Sequence, residues 1–451
     1  MSTQKSPEQP PGDSFPLAAQ IPLQSFVFPT FPPQASRLRE LTLTAELKLD
    51  EYQEILQKHS LEQQKEKQLS PNTHTRRSSY TASNSLVFHA PNLPPSITSV
   101  ALELFNLGFP VGWLKSVARS LPKLKSLTFF GCLIDGLDEG SRDDAISMLE
   151  MLKLRDLRIV DTFARPGFWR EAALGLSEKY ERAKEAHTVD EHGQYLPPGQ
   201  RLQVLEMSYT YRGHSDPEFM SRIAGEELPQ LLGSGLVAAS FNLLAPPRPP
   251  PQDGGVESNL PEDPANLDER GESIDSKQSE GILPFPEYGR AASALRKRFE
   301  QLSAGNDLTK LRMLDTSLWT LRPEEIGHML YSCSGGGSGV MEDLCVSVLL
   351  KQGWWDELLE GLTDRSQNLE GLELVGVPDD DQKEQISTKL AEDVFEKTKD
   401  LEKLRQACPK LVRFEMTILR AKSFGRVGWK FDSHSGEWTG GYVPGRGQNG
   451  H

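Results

Sequence analysis

Aliphatic residues recur along this chain in one short phrase, L-x-x-L-x-L, whose last two apolar positions are two apart. In LPKLKSLTFFGCLID they are Leu124, Leu127 and Phe129, followed by Cys132. Residues two apart point to one side of a strand and those between them to the other, so the phrase predicts a strand with one face in a core. Further copies are RLRELTLTA (Leu38, Leu41, Leu43), SITSVALELF (Ile97, Val100, Leu102), KLRDLRIVD (Leu154, Leu157, Ile159), RLQVLEMSY (Leu202, Leu205, Met207) and GLVAASFNLL (Leu236, Ala239, Phe241). Later in the chain come KLRMLDTSLW (Leu311, Leu314), VMEDLCVSVLL (Met341, Leu344, Val346), NLEGLELVGV (Leu369, Leu372, Leu374) and CPKLVRFEM (Leu411, Phe414, Met416).

Between the phrases, apolar residues fall at helical spacing, as Trp113, Leu114, Val117 and Leu121 do in VGWLKSVARSL. The same reading gives helices over Leu49 to Gln68, DDAISMLEML, Phe168 to Ala186, DPEFMSRIAGEELPQLL, EYGRAASALRKRFEQLSAG and PEEIGHMLYSC, and a long charged one from about Asp379 to Ala407. One strand with one helix buries too little apolar surface to offset chain entropy, so such units must stack on one another. The fold class expected is α/β: a solenoid with parallel strands inside and helices outside.

Several stretches fall outside the pattern. Residues 1–34 are rich in Pro, Gln and Ser and read as a disordered lead-in, although FVF at Phe26 to Phe28 is apolar enough to dock on the first unit. Residues 245–284, APPRPPP followed by an acidic run nearly free of aromatics, read as a disordered insertion. They separate repeat halves at 35–244 and 285–424, and 425–451 form a capping hairpin and tail, with Trp429, Phe431 and Trp438 around a turn at Asp432 to Gly436. The Trp354-Trp355 pair should divide between core and rim of its helix, and SCSGGGSGV reads as a loop between units.

Composition narrows the class. The formal charge of -14, from 50 basic and 64 acidic residues, argues against nucleic acid or an anionic membrane as the main partner, while leaving room for a local basic patch. Cys132, Cys333, Cys345 and Cys408 form no C-x-x-C pair and lie in or beside apolar segments, as reduced, buried thiols of a cytoplasmic or nuclear protein do. The start of the chain has no basic and apolar leader, and no apolar run reaches membrane-spanning length. No metal-ligand spacing and no nucleophile or phosphate-loop motif occurs, so neither cofactor nor enzymatic activity is expected.

The phrases LPKLKSLTFFGCLID and CPKLVRFEM resemble the cysteine-containing subtype of leucine-rich repeats, whose units begin C-P-x-L-x-x-L-x-L-x-x-C. Pro122 and Cys132 match in the first, with Leu121 replacing the opening cysteine; Cys408 and Pro409 match in the second. The resemblance covers about 97 to 420 and implies a horseshoe of the ribonuclease-inhibitor type. The subtype is typical of F-box adaptors of SCF-type ubiquitin ligases, which implies a substrate-receptor role as an alternative. The helical module that precedes the repeats in those adaptors has no counterpart here, so that role rests on fold analogy.

Function is then expected on the outward strand face. Glu206, Asp315, Asp343, Glu373 and Glu415 occupy one slot or its neighbour in successive units and would line up as an acidic stripe, with Arg158 and Arg413 beside them. Such a face either is polar for solubility or receives a basic segment of a protein partner. The expectation is a monomeric, non-enzymatic interaction scaffold. Arg76, Arg77 and Ser79 match a basophilic kinase pattern, which makes Ser79 a candidate phosphorylation site.

Overall fold

In the computed structural model the chain is α/β, with thirteen strands among the described residues, mostly parallel, alternating with helices. The structure describes residues 17–57 (except 24, 25, 27, 46, 52, 55 and 56), 93–185, 202–210, 218–244 (except 234), 283–305, 310–334, 340–379, 388–419 and 425–443. Most of the helix expected from Leu49, Ser79, the core of the insertion and the loop at 335–339 lie outside these residues. Contacts divide the chain into two compact units, Met1–Leu157 with Thr162–Arg165 and Glu178–Gln200, and Arg201–His451 with Arg158–Asp161 and Pro166–Ser177. The division falls inside the fifth strand and not at the 245–284 insertion expected to separate the halves.

In the first unit, β1 (Ala18–Pro22), β2 (Glu40–Thr44), β3 (Ser99–Glu103) and β4 (Ser126–Phe130) are parallel neighbours in chain order. The inward residues form two ladders, Leu41 beside Val100 beside Leu127, and Leu43 beside Leu102 beside Phe129. All six are at most 1% exposed. Burying each is worth roughly 1.5–3 kcal/mol, more than an exposed ion pair, so the inward aliphatics hold the sheet and the outward positions are free to vary. Cys132 belongs to this packing: its thiol donates to the Leu102 carbonyl at 3.2 Å and its amide donates to Thr162 Oγ1 at 3.1 Å.

The helices α1 (Trp113–Ser120) and α2 (Glu139–Met151) cover the inward side. Trp113 stacks on Phe109 and Phe28, and its indole N–H donates to the Phe26 carbonyl at 3.2 Å. Phe26 and Phe28 therefore dock on the first unit. The lead-in expectation is corrected further by β1, which pairs with β2 along its whole length. Pro22 closes that edge strand, where its missing N–H interrupts no ladder.

The fifth strand, β5 (Asp156–Val160), leads into α3 (Phe168–Glu185). In the second unit β6 (Val204–Thr210), β7 (Ala238–Leu244), β8 (Met313–Leu321), β9 (Asp343–Leu350), β10 (Gly371–Pro378) and β11 (Arg413–Ile418) are parallel neighbours. Their inward ladder runs Leu205, Ala239, Leu314, Leu344, Leu372, Phe414. The hairpin β12 (Arg426–Asp432) and β13 (Glu437–Val443) adds antiparallel to β11, with His434 N donating to Asp432 Oδ1 in its turn.

Two expected helices are broken. DPEFMSRIAGEELPQLL yields only α4 (Phe219–Arg222) and a 3-10 turn at Leu228–Leu231. The backbone between them is used in packing: the Gly225 carbonyl accepts from Trp319 Nε1 at 3.3 Å, and a Cβ on Gly225 would lie 2.3 Å from the Phe285 ring. After α5 (Arg290–Gly305), α6 (Pro323–Ser334) and α7 (Trp354–Leu362), the long charged helix is two, α8 (Thr388–Lys397) and α9 (Leu401–Ala407). Asp400 caps the second by accepting from Lys403 N, so a helix start sits where one continuous helix was expected. Trp354 and Trp355 are both buried, at 1% and 6%, instead of dividing between core and rim, because Trp355 packs against Phe414.

Candidate functional site

The outward face of the second unit is built by the residues between its inward leucines. One register row runs Glu206, Ser240, Asp315, Cys345, Glu373, Glu415, each beside the next across β6 to β11. Neighbouring parallel strands are about 4.8 Å apart, so the four carboxylates of this row share one strip of surface, with Glu373 and Glu415 directly side by side. Asp343 is not in that row. It belongs to the preceding one, Val204, Ala238, Met313, Asp343, Gly371, Arg413.

The two candidate cations already have partners. Arg413 Nη2 lies 2.7 Å from Asp343 Oδ1, reaching over β10 from two strands away. Gly371 makes that reach possible, since a Cβ there would meet Asp343 Oδ1 at 2.1 Å and Arg413 Nη2 at 2.7 Å. Arg158 Nε approaches Glu206 Oε2 at 3.8 Å. Glu206 also accepts from Ser208 Oγ at 2.8 Å, and Asp315 accepts from Ser240 Oγ at 3.3 Å and from Ser317 N at 2.9 Å. The expected acidic stripe is thus partly neutralised at Asp343 and Glu206.

A second feature lies on the helix side, where a cavity of about 600 Å³ opens between α5 and α6. Leu295, Phe299 and Met329 line it together with an ion pair, Arg296 Nη1 to Glu325 Oε1 at 3.0 Å. No signal in the sequence marked this cavity, because it depends on how two separately encoded helices meet.

All four cysteines are free. Burial pushes the Cys132 and Cys333 thiols up to about 12 and that of Cys408 to about 11, so these three stay protonated and unreactive. Cys345 departs from the expected buried set: it is half-buried, in the acidic row. Among the described residues, no group of three or more His, Cys, Asp or Glu is placed to hold a metal ion, and no helix is long and apolar enough to cross a membrane.

No protein-family model matches the chain, and no curated protein matches it.

Proposed function

We propose that this chain is a leucine-rich-repeat solenoid acting as a non-enzymatic interaction scaffold, and that the outward strand face of its second unit receives a basic segment of a protein partner. The observation carrying this reading is the single register row that places Glu206, Asp315, Glu373 and Glu415 on one strip. Like charges on adjacent strands destabilise the sheet by a few tenths of a kcal/mol each, and a bound cationic segment removes that penalty.

Binding of a labelled lysine-rich peptide to the full chain tests the reading. Glu373→Gln with Glu415→Gln should weaken it about tenfold at low salt, with less effect as salt rises. Arg413→Gln should act in the opposite direction, because it leaves Asp343 without its cation. Equal affinities in all three proteins sink the reading.

A further inference from the structure

The first unit carries a charge pattern of its own at the ends of the strands where the chain enters the sheet. Its rungs are tied by backbone bonds: Thr98 N donates to the Arg39 carbonyl, Lys125 N to the Thr98 carbonyl, and Arg155 N to the Lys125 carbonyl, at 2.8–2.9 Å. Arg39, Thr98, Lys125 and Arg155 therefore stand on consecutive rungs, about 4.8 Å apart. Arg37, Lys123 and Lys153 sit two residues earlier, on the far side of buried Leu38, Leu124 and Leu154. All six cations are exposed. Among the described residues Arg37, Lys123, Lys125 and Lys153 have no ion-pair partner, and Arg39 donates to a backbone carbonyl, that of Ser96. The acids nearest in register, Glu40 and Asp156, belong to the next row, on the outward face.

The equivalent rungs of the second unit are Gln203, Val237, Arg312, Glu342, Glu370 and Val412, tied by the same backbone bonds. On those rungs Arg312 is paired with Glu342 at 2.9 Å and Glu370 adds a second acid, while two residues earlier stand Lys310 and Lys410, the latter donating to Asn368 Oδ1 at 2.7 Å. A rim that is charged only to stay soluble needs no excess of one sign: over the described residues on those rungs and two positions earlier, the second unit carries three cations and two acids, whereas the first carries six cations and no acid. The excess in the first unit therefore calls for an anionic partner.

We infer that the basic rim of the first unit binds an extended acidic segment of a partner polypeptide. In an extended chain, carboxylates two residues apart lie on one side about 7 Å apart, within reach of the long, rotatable side chains of cations on rungs about 4.8 Å apart. Arginine forks and lysine ammonium groups both take carboxylates without a shaped pocket. Nucleic acid fits less well: the six cations are interleaved with aliphatics and hydroxyls instead of aromatics for base stacking, and a chain of net charge -14 repels most strongly the partner of highest charge density. The inference does not depend on the acidic face of the second unit.

Fluorescence anisotropy of a labelled glutamate-rich peptide with the full chain tests it. The triple variant Lys123→Gln, Lys125→Gln, Lys153→Gln should bind about tenfold more weakly at low salt and show a shallower salt dependence, while Arg312→Gln and Glu373→Gln bind as the parent does. Arg39→Gln with Lys125→Gln is a second, independent variant, and thermal unfolding of each confirms that it folds. Two results overturn the inference: unchanged affinity in both multiple variants, or a labelled DNA duplex binding more tightly than the peptide at equal salt and losing that affinity in the triple variant.

Discussion

The two units use the same phrase and spend its variable positions differently. In the first, every strand is five residues long and basic residues flank the opening leucine, as in K-L-K at Lys123 to Lys125 and K-L-R at Lys153 to Arg155. In the second, strands run from six to nine residues and acidic residues lie between the second and third apolar positions, as at Glu373 and Glu415. A shift of three or five positions within one phrase moves charge from the rim of a sheet to its face. Inward residues set the geometry in both units, and the positions they leave free set where each unit carries its surface charge.

The largest test of this division concerns the core. Leu127→Ala and Leu372→Ala each remove a side chain 0–1% exposed and should cost about 2–5 kcal/mol. In hydrogen exchange, Leu127→Ala should lower protection in β2 to β4, and Leu372→Ala in β9 to β11. Equal losses in both sets from either change would break the comparison of two units.

Next in size is a cap. Asp144 of α2 accepts from Leu114 N at 3.0 Å and from Lys115 N at 3.2 Å, serving the first turn of α1 from a residue in the next helix. In the second unit Glu227 accepts from Gly167 N just before α3. Asp144→Ala should cost about 1–2 kcal/mol. Burial raises the Asp144 carboxyl to about 6 from an ordinary 3.8. The folded state then holds this proton more tightly than the unfolded chain, so the contribution to stability increases as pH falls from about 6 toward 4 and is lost as pH rises through 6. A parent-minus-variant difference in unfolding free energy that is flat over that window would show that burial does not govern this group.

Much of this was legible from period alone. Each of the ten phrases is a strand, since apolar residues two apart with a third three residues earlier leave little choice of side. The acidic row was legible for the same reason, and Asp343 fell one row away because in M-E-D-L-C the acid precedes the second apolar residue instead of following it. What stayed hidden depends on contacts distant in sequence. The Arg413 to Asp343 pair links residues 70 apart and needs the register of three strands. The Asp144 cap joins two helices about a turn of the repeat apart, and β1 was hidden by the prolines around it. The break between α8 and α9 did have a signal, the capping aspartate in K-D-L-E-K, outweighed by the charged helical pattern on both sides.

A smaller change sharpens the contrast within the second unit. Gly371→Ala puts a methyl between Asp343 and Arg413, whose side chains must part to accommodate it. Because the pair is exposed, the cost should be about 1 kcal/mol or less. Its larger consequence is on the face, where Asp343 loses its cation and adds to the neighbouring acidic row. Stability should fall slightly while affinity for a lysine-rich peptide rises, and a fall in both would mean that Arg413 itself contacts the peptide.

The smallest expected effect discriminates best between a face kept polar for solubility and one held ready for a partner. Glu373 and Glu415 are register neighbours, and on its other side Glu415 faces Gly428 directly, with the cations Arg426 and Lys430 diagonal to it. Glu415→Gln removes one of two like charges at strand spacing and keeps the side chain's length. It should raise the unfolding free energy by a few tenths of a kcal/mol at low salt, an increment that vanishes as salt screens the pair. If the variant is instead less stable at every salt concentration, the Glu415 carboxylate already has a stabilising partner within the chain. The row would then be satisfied internally, as Arg312 and Glu342 are on the rim, and the acidic face of the second unit would no longer contrast with the basic rim of the first.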